Sequence, residues 1–301
     1  MANDGILSES AADIEALRRL STMGNSEHVK KNISDVRLDF EKNFDDTAWQ
    51  VWLENYWWLS IVASVMYIFT IFSIQRFMKH RHRLELRGLL IVWNVALAAF
   101  SIFGACRSLK AMYITLTSRG LHESICTPGD IYSNNEITGV WAMYFEISKV
   151  VEFGDTLFIV LRKGNLIFLH WYHHVTVLIY VCYSATDRTS TGYWFMLLNF
   201  MVHSVMYSYY AFRAARIRLP KIIPMSITAM QLLQMIGGCA VQHHVNYSLN
   251  HGYDCQVTSR NNFLGSLMYG SYLLLFAQFF YKAYLTTAPK PLSTKRQLKE
   301  E

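Results

Sequence analysis

The chain has 301 residues, 52% of them hydrophobic and 15% aromatic, and a formal charge of +6 at neutral pH. That apolar share is high for a soluble domain and points to a polytopic membrane protein. The basic residues fall in short loops without a basic–aromatic nucleic-acid motif, so they read as membrane orientation and as attraction for anionic partners at one face; no nucleic-acid partner is expected.

Residues 1–55 are polar and charged, lack the apolar core of a signal peptide, and read as a soluble N-terminal lumenal segment. Within it Asn32-Ile33-Ser34 matches the N-glycosylation pattern; a second match at Asn246-Tyr247-Ser248 follows its span too closely to be the better acceptor. Apolar stretches near twenty residues then follow at 56–75, 88–106, 139–161, 166–185, 192–212, 222–242 and 263–285, which predicts an all-α domain of seven transmembrane helices over 56–285. Two of them are irregular: 139–161 carries Glu146, Lys149, Glu152 and Asp155, and 222–242 contains Pro224 and the pair Gly237-Gly238. Such irregularity is tolerated where protein or a water-filled cavity supplies the missing partners. Residues 286–301 read as a cytosolic C-terminal tail, with Lys299 a partial match to a dilysine retrieval signal.

Loop charge sets the orientation. Arg76 to Arg87, Arg162-Lys163, Arg213 to Lys221 and the tail are basic and are assigned to the cytosol; the alternate loops and the N-terminus then face the other side. Cys126 and Cys255 fall in two of those non-cytosolic loops, where an oxidising lumen allows a disulfide, the alternative being two free loop thiols.

A charge at the centre of a membrane helix costs roughly 2.5–3.5 kcal/mol, so intramembrane polar groups mark function by default. Lys149, Glu152, Asp155 and Thr156 recur on one side of the third span, either as a self-neutralising ladder or in need of another partner. The fourth carries His170, His173 and His174, at i, i+3 and i+4 and hence on one arc. Asn199, His203, Met206 and Tyr210 make a stripe on the fifth, flanked by Tyr207, and Thr228, Gln231 and Gln234 recur every third residue on the sixth. At ~1.5 Å of rise per residue, His173, His203 and Gln231 each lie about 15 Å from the nearest basic loop and Asp155 about 10 Å, all between the midplane and the cytosolic edge. This implies one chamber reached from the cytosol, with apolar depth beyond it for an acyl chain.

Three reaction classes use clustered histidines. A di-iron desaturase or hydroxylase shares the His-x-x-His-His box but needs several boxes, and His80, His82, His243, His244 and His251 are badly placed to supply them. A proton-coupled transporter also uses intramembrane Lys, Glu, Asp and His, yet no repeated halves are visible. Acyl transfer needs an imidazole as nucleophile or base, a carboxylate to orient it, and amide or hydroxyl donors for an oxyanion, all present here at one depth.

In order and spacing, Lys149-x-x-Glu152-x-x-Asp155-Thr156, His170-x-x-His173-His174, Asn199-x-x-x-His203-x-x-Met206-Tyr207 and Thr228-x-x-Gln231-x-x-Gln234 resemble the ELO family of fatty-acid elongases over about residues 45–285. Asn165-Leu166-Ile167-Phe168-Leu169 resembles its branch for saturated and monounsaturated chains, and His170 to His174 with Trp194-Phe195-Met196 resemble the palmitate-elongating subgroup. The resemblance implies an endoplasmic-reticulum protein with six of its seven helices around an acyl tunnel, condensing an acyl-CoA with malonyl-CoA to 3-oxoacyl-CoA, CoA and carbon dioxide. It implies no metal and no cofactor beyond the two CoA substrates; membrane lipid and the reductases and dehydratase of the cycle are the expected partners, and a homo-oligomer is allowed.

On this resemblance His173 carries the acyl group as an acyl-imidazole, and His203 stabilises the enolate or guides the malonyl group. His170 and His174 orient His173 or pass protons, Asp155 and Glu152 are the carboxylate partners, and Lys149 is their counter-ion or a malonyl contact. Asn199, Tyr207, Thr228, Gln231 and Gln234 bind substrate in the chamber. Lys163, Arg213, Arg216, Arg218 and Lys221 are candidates for the CoA phosphates, the alternative for each being ordinary positive-inside charge.

Overall fold

A computed structural model describes residues 38–127 and 136–286; Asn32 and the segment from 287 onward lie outside the described residues. The elements are α1 Asp46–Tyr56, α2 Leu59–Met78, α3 Arg87–Cys126, α4 Glu136–Val151, α5 Phe153–Leu161, α6 Phe168–Thr186, α7 Gly192–Ala214, α8 Ile222–Asn250 and α9 Ser259–Phe280, with a 3-10 turn at Asp39–Glu41 and a π turn at Tyr281–Leu285. The protein is an all-α polytopic membrane protein. Four columns, α2, α3, α8 and α9 with its π turn, are long and apolar enough on their own to cross a membrane. The others, α4 with α5, α6 and α7, are those whose apolar pattern the polar motifs interrupt.

Neighbour contacts close a ring. Column α3 packs along α7, α7 on α8, α8 on α9, α9 on α6, α6 on α4 and α5, and α4 on α3, while α2 stands outside against α5 and α6. The ring is narrow enough that α7 also touches α4 and α6 across it. Apolar surface drives little association between helices already in lipid, so close backbone approach and polar contacts must hold the columns together. At Gly104 an added Cβ would lie 2.8 Å from the Phe200 ring, so the longest contact, α3 on α7, depends on having no side chain there. Trp141, Phe145, Tyr193, Met196 and Phe200 fill the space between α3, α4 and α7.

Four local features depart from the sequence expectation. Column 139–161 is broken at Glu152, which separates α4 from α5, whereas 222–242 is unbroken and continues to Asn250. Pro224 sits in the first turn of α8, where its missing N–H leaves no gap in the ladder, and Gly238 lets the Tyr269 ring of α9 lie against the helix. The second span continues beyond 106 to Cys126 through a change of direction at Gly120, whose φ of 81° favours glycine. Finally, the polar N-terminal segment is not wholly an appendage: α1 docks on α4 and α6. Its Gln50 donates to the carbonyls of Ala185 and Thr186, the open C-terminal end of α6, at 3.3 and 3.1 Å. Just before it, buried Glu41 accepts from Arg107 and from Trp141 Nε1, which ties the start of the described chain to α3 and α4.

Candidate active site

The site is assembled from α4, α5, α6 and α7. The break at Glu152 lets two acids of one sequence motif point to different partners. On the α4 side Lys149, 1% exposed, places its Nζ 2.7 Å from Glu152 Oε1 and 2.8 Å from Asn199 Oδ1, with the Phe145 ring centre 4.3 Å away. Asn199 passes the network on through its amide nitrogen, 3.2 Å from His203 Nε2, and His203 Nδ1 lies 3.6 Å from Glu152 Oε1. Ser148 also donates to Glu152 Oε1, at 3.3 Å, while Glu152 Oε2 is buried without a hydrogen-bond partner among the described residues.

On the α5 side Asp155 accepts from Trp93 Nε1 and from the Tyr207 hydroxyl, both at 2.7 Å. It therefore braces α3, α5 and α7 against one another and does not bond a histidine of the box. Thr156 lies 2.9 Å from His170 Nε2 and 2.6 Å from the Tyr67 hydroxyl, so His170 is oriented by the α5 hydroxyl, which is itself held by Tyr67 of α2. The His174 ring stands edge-on to His170 at 4.6 Å between centres and has a buried, unpartnered Nδ1. The His173 ring packs 5.0 Å from that of Tyr272, and, as for His174, no described residue hydrogen-bonds its ring nitrogens.

Two cavities meet at this residue. The wider, about 840 Å³, is lined by His170, His173, His174, His203, Asp155, Asn199, Tyr207, Gln231 and Gln234, and by Arg83, Arg87, Arg162, Arg213 and Arg216. The narrower, about 140 Å³, runs past Val177, Val181, Phe195 and Met268 to Asp46, Gln50 and Arg188. Four residues line both: His173, Asn199, Gln234 and Met235. An imidazole with free nitrogens thus stands where a roomy, cationic chamber narrows to a mostly apolar tube, an arrangement suited to attack on a polar group carried at the end of an apolar chain.

The structure brings together most of the residues singled out in the sequence, with exceptions. Lys149 and Glu152 lie behind the chamber wall, not on it. Thr228 bonds the Pro224 carbonyl and Tyr284, and is outside the chamber lining. Among the cations, Arg213 and Arg216 line the chamber; Lys163, Arg218 and Lys221 do not, and Lys163 instead donates to the carbonyls of Lys79 and Arg81. Sequence reasoning missed Tyr67, Trp93 and Tyr272, which sit in otherwise apolar stretches, and passed over Arg83, Arg87 and Arg162 as orientation charges. Cys126 and Cys255 form a disulfide. Asn246 lies inside α8 and accepts from Asn262 at 2.6 Å. Among the described residues, the one group of His, Cys, Asp or Glu whose ligand atoms all lie within 4.8 Å of one another is His122, Cys126 and His244, far from the box and with its sulfur in that disulfide.

Comparison with known proteins gives the family. The model of the ELO (GNS1/SUR4) family matches residues 52–292. The chain is 49% identical over 260 residues to very long chain fatty acid elongase 6 of Drosophila melanogaster, covering 85% of this chain and 81% of that one. It is 44% identical to the human protein of the same name, covering 82% and 92%, and 39% identical to very long chain fatty acid elongase 3 of the mouse, covering 86% and 95%. With the family model matched over most of its length and a relative at 49% identity, the chain belongs to the ELO family.

Proposed function

We propose that this chain is the condensing enzyme of fatty-acid elongation, an acyltransferase that joins a long-chain acyl-CoA, saturated or monounsaturated and palmitoyl-like, to malonyl-CoA and releases 3-oxoacyl-CoA, CoA and carbon dioxide. The observation that carries this reading is the position of His173 at the junction of the arginine-lined chamber and the narrow tube. The acyl chain occupies the tube and the CoA phosphates meet Arg83, Arg87, Arg162, Arg213 and Arg216 at the cytosolic mouth. His173 attacks the thioester carbonyl, the C–S bond breaks and CoA leaves as the thiol, so that the acyl group remains on the imidazole. Malonyl-CoA then binds in the vacated chamber, and loss of carbon dioxide leaves the electron pair as an enolate, which attacks the acyl carbon and frees His173.

His203, held by Asn199 and near Glu152, stabilises the enolate oxygen or guides the malonyl group. His170, fixed by Thr156, and His174 orient His173 and pass protons. The reaction requires no metal or further cofactor. The protein lies in the endoplasmic-reticulum membrane with seven spans, a lumenal N-terminus and a cytosolic C-terminus; the Cys126–Cys255 disulfide at the end opposite the arginines supports that orientation. Reductases and a dehydratase in the same membrane take the product onward. Intact-mass analysis after mixing purified protein with acyl-CoA alone tests the covalent step: an acyl adduct is expected in the wild type and absent in His173→Ala, and an adduct that survives the substitution removes the proposal. Supplying malonyl-CoA as well should give a product two carbons longer than the acyl chain supplied.

A further inference from the structure

Glu146 has no part in the chemistry above, yet it lines the narrow tube and is only 8% exposed. Trp49 of α1 donates to its Oε2 at 2.8 Å; no described residue donates to Oε1. The nearby hydroxyls are engaged elsewhere, Ser184 on the Val181 carbonyl and Thr189 on that of Ser184. Trp49 is followed by Gln50, which bonds Ala185 and Thr186, so Glu146 belongs to the distal part of the tube. From His173 to Ala185 the helix rises about 18 Å, roughly the reach of fifteen extended carbons. A purely hydrocarbon chain would fill this end and leave a buried carboxyl oxygen unpaired, which is costly.

We infer that the distal end of the tube accepts acyl-CoA chains bearing a terminal hydroxyl, which donates to Glu146 Oε1. This rests on the elongase reading of the same tube and adds a substrate class to it. An apolar pocket rejects an added hydroxyl by about a hundredfold; a pocket with an acceptor in place does not.

The test compares kcat/KM for ω-hydroxyhexadecanoyl-CoA and hexadecanoyl-CoA, each with malonyl-CoA, in wild type, Glu146→Leu and Glu146→Gln. The expected wild-type ratio is at or above about unity. Glu146→Leu should lower the ratio of hydroxylated to plain substrate at least ~10-fold, whether by loss of the first or gain of the second, and Glu146→Gln, which keeps an acceptor oxygen, should retain the wild-type ratio. A wild-type ratio below about one tenth, or an unchanged ratio in Glu146→Leu, overturns the inference. If Glu146→Leu fails to fold, the wild-type ratio and Glu146→Gln decide. Failure to elongate hexadecanoyl-CoA itself is a different result, which removes the elongase reading and this inference with it.

Discussion

Lys149 shows what one residue does in a wall that water does not reach. Its ammonium is held by Glu152 and Asn199, and the pair is 1% and 3% exposed. Removing one member of a buried pair leaves the other uncompensated, at a cost of about 3–5 kcal/mol. Lys149→Met should therefore lower the thermal midpoint in detergent sharply, and the double variant Lys149→Met with Glu152→Gln should recover most of the loss; equal midpoints for the single and double variants would refute the pairing. The motif containing these residues was visible in the sequence, but its division was not. Treated as one ideal helix, Lys149, Glu152 and Asp155 share a side. The break at Glu152 instead sends Asp155 to Trp93 and Tyr207, and nothing in the spacing of the acids foretells a partner 62 residues upstream in an apolar span.

At the scale of an element, α1 is the part least legible in advance. Its polar residues suppress any apolar run, and its pattern mixes two faces: Gln50 and Leu53 are buried under the ring, while Val51, Trp52 and Tyr56 are exposed in the manner of an aromatic belt. Asp46 at its start lies 3.4 Å from Arg188. Loss of hydration raises the pKa of its carboxyl from the usual value, more than the Arg188 charge lowers it, and Asp45 adds a smaller upward push. A carboxyl with a raised folded-state pKa contributes stability at low pH that is lost as the pH rises through that value. Asp46→Asn should thus cost no stability at neutral pH and should flatten the dependence of the thermal midpoint on pH as the pH rises from the ordinary carboxyl titration upward. A clear loss at neutral pH would show that the ion pair outweighs the burial.

Taken whole, the molecule is a ring of six columns whose order around the ring is not its order in the chain, since α3 meets α7 and α9 meets α6. Hydropathy gives the columns and loop charge gives their ends, because both are local properties. The closure of the ring comes from contacts such as Gly104 with Phe200 and from polar bonds between distant spans, which no local pattern encodes. The disulfide is one such closure: it joins the end of α3 to the loop before α9, where Gln256 N–H also donates to the Cys126 carbonyl at 2.8 Å. Cys126→Ser should cost about 2–4 kcal/mol, and dithiothreitol should lower the thermal midpoint of the wild type but not of the variant.

The paired charges in the α4–α5 column also bear on how the chain is made. A segment holding Glu146, Lys149, Glu152 and Asp155 is a poor candidate for release into lipid by itself, with each unpaired charge near its centre costing roughly 2.5–3.5 kcal/mol. The Asn199 that completes the Lys149 network is synthesised 50 residues later, and Tyr207, the donor to Asp155, 52 residues later. Lys149 and Glu152 pair within the segment, but Asn199 and Tyr207 join only once α7 has emerged, so the full set of bonds that settles this column is completed by a helix not yet translated when the segment first meets the bilayer.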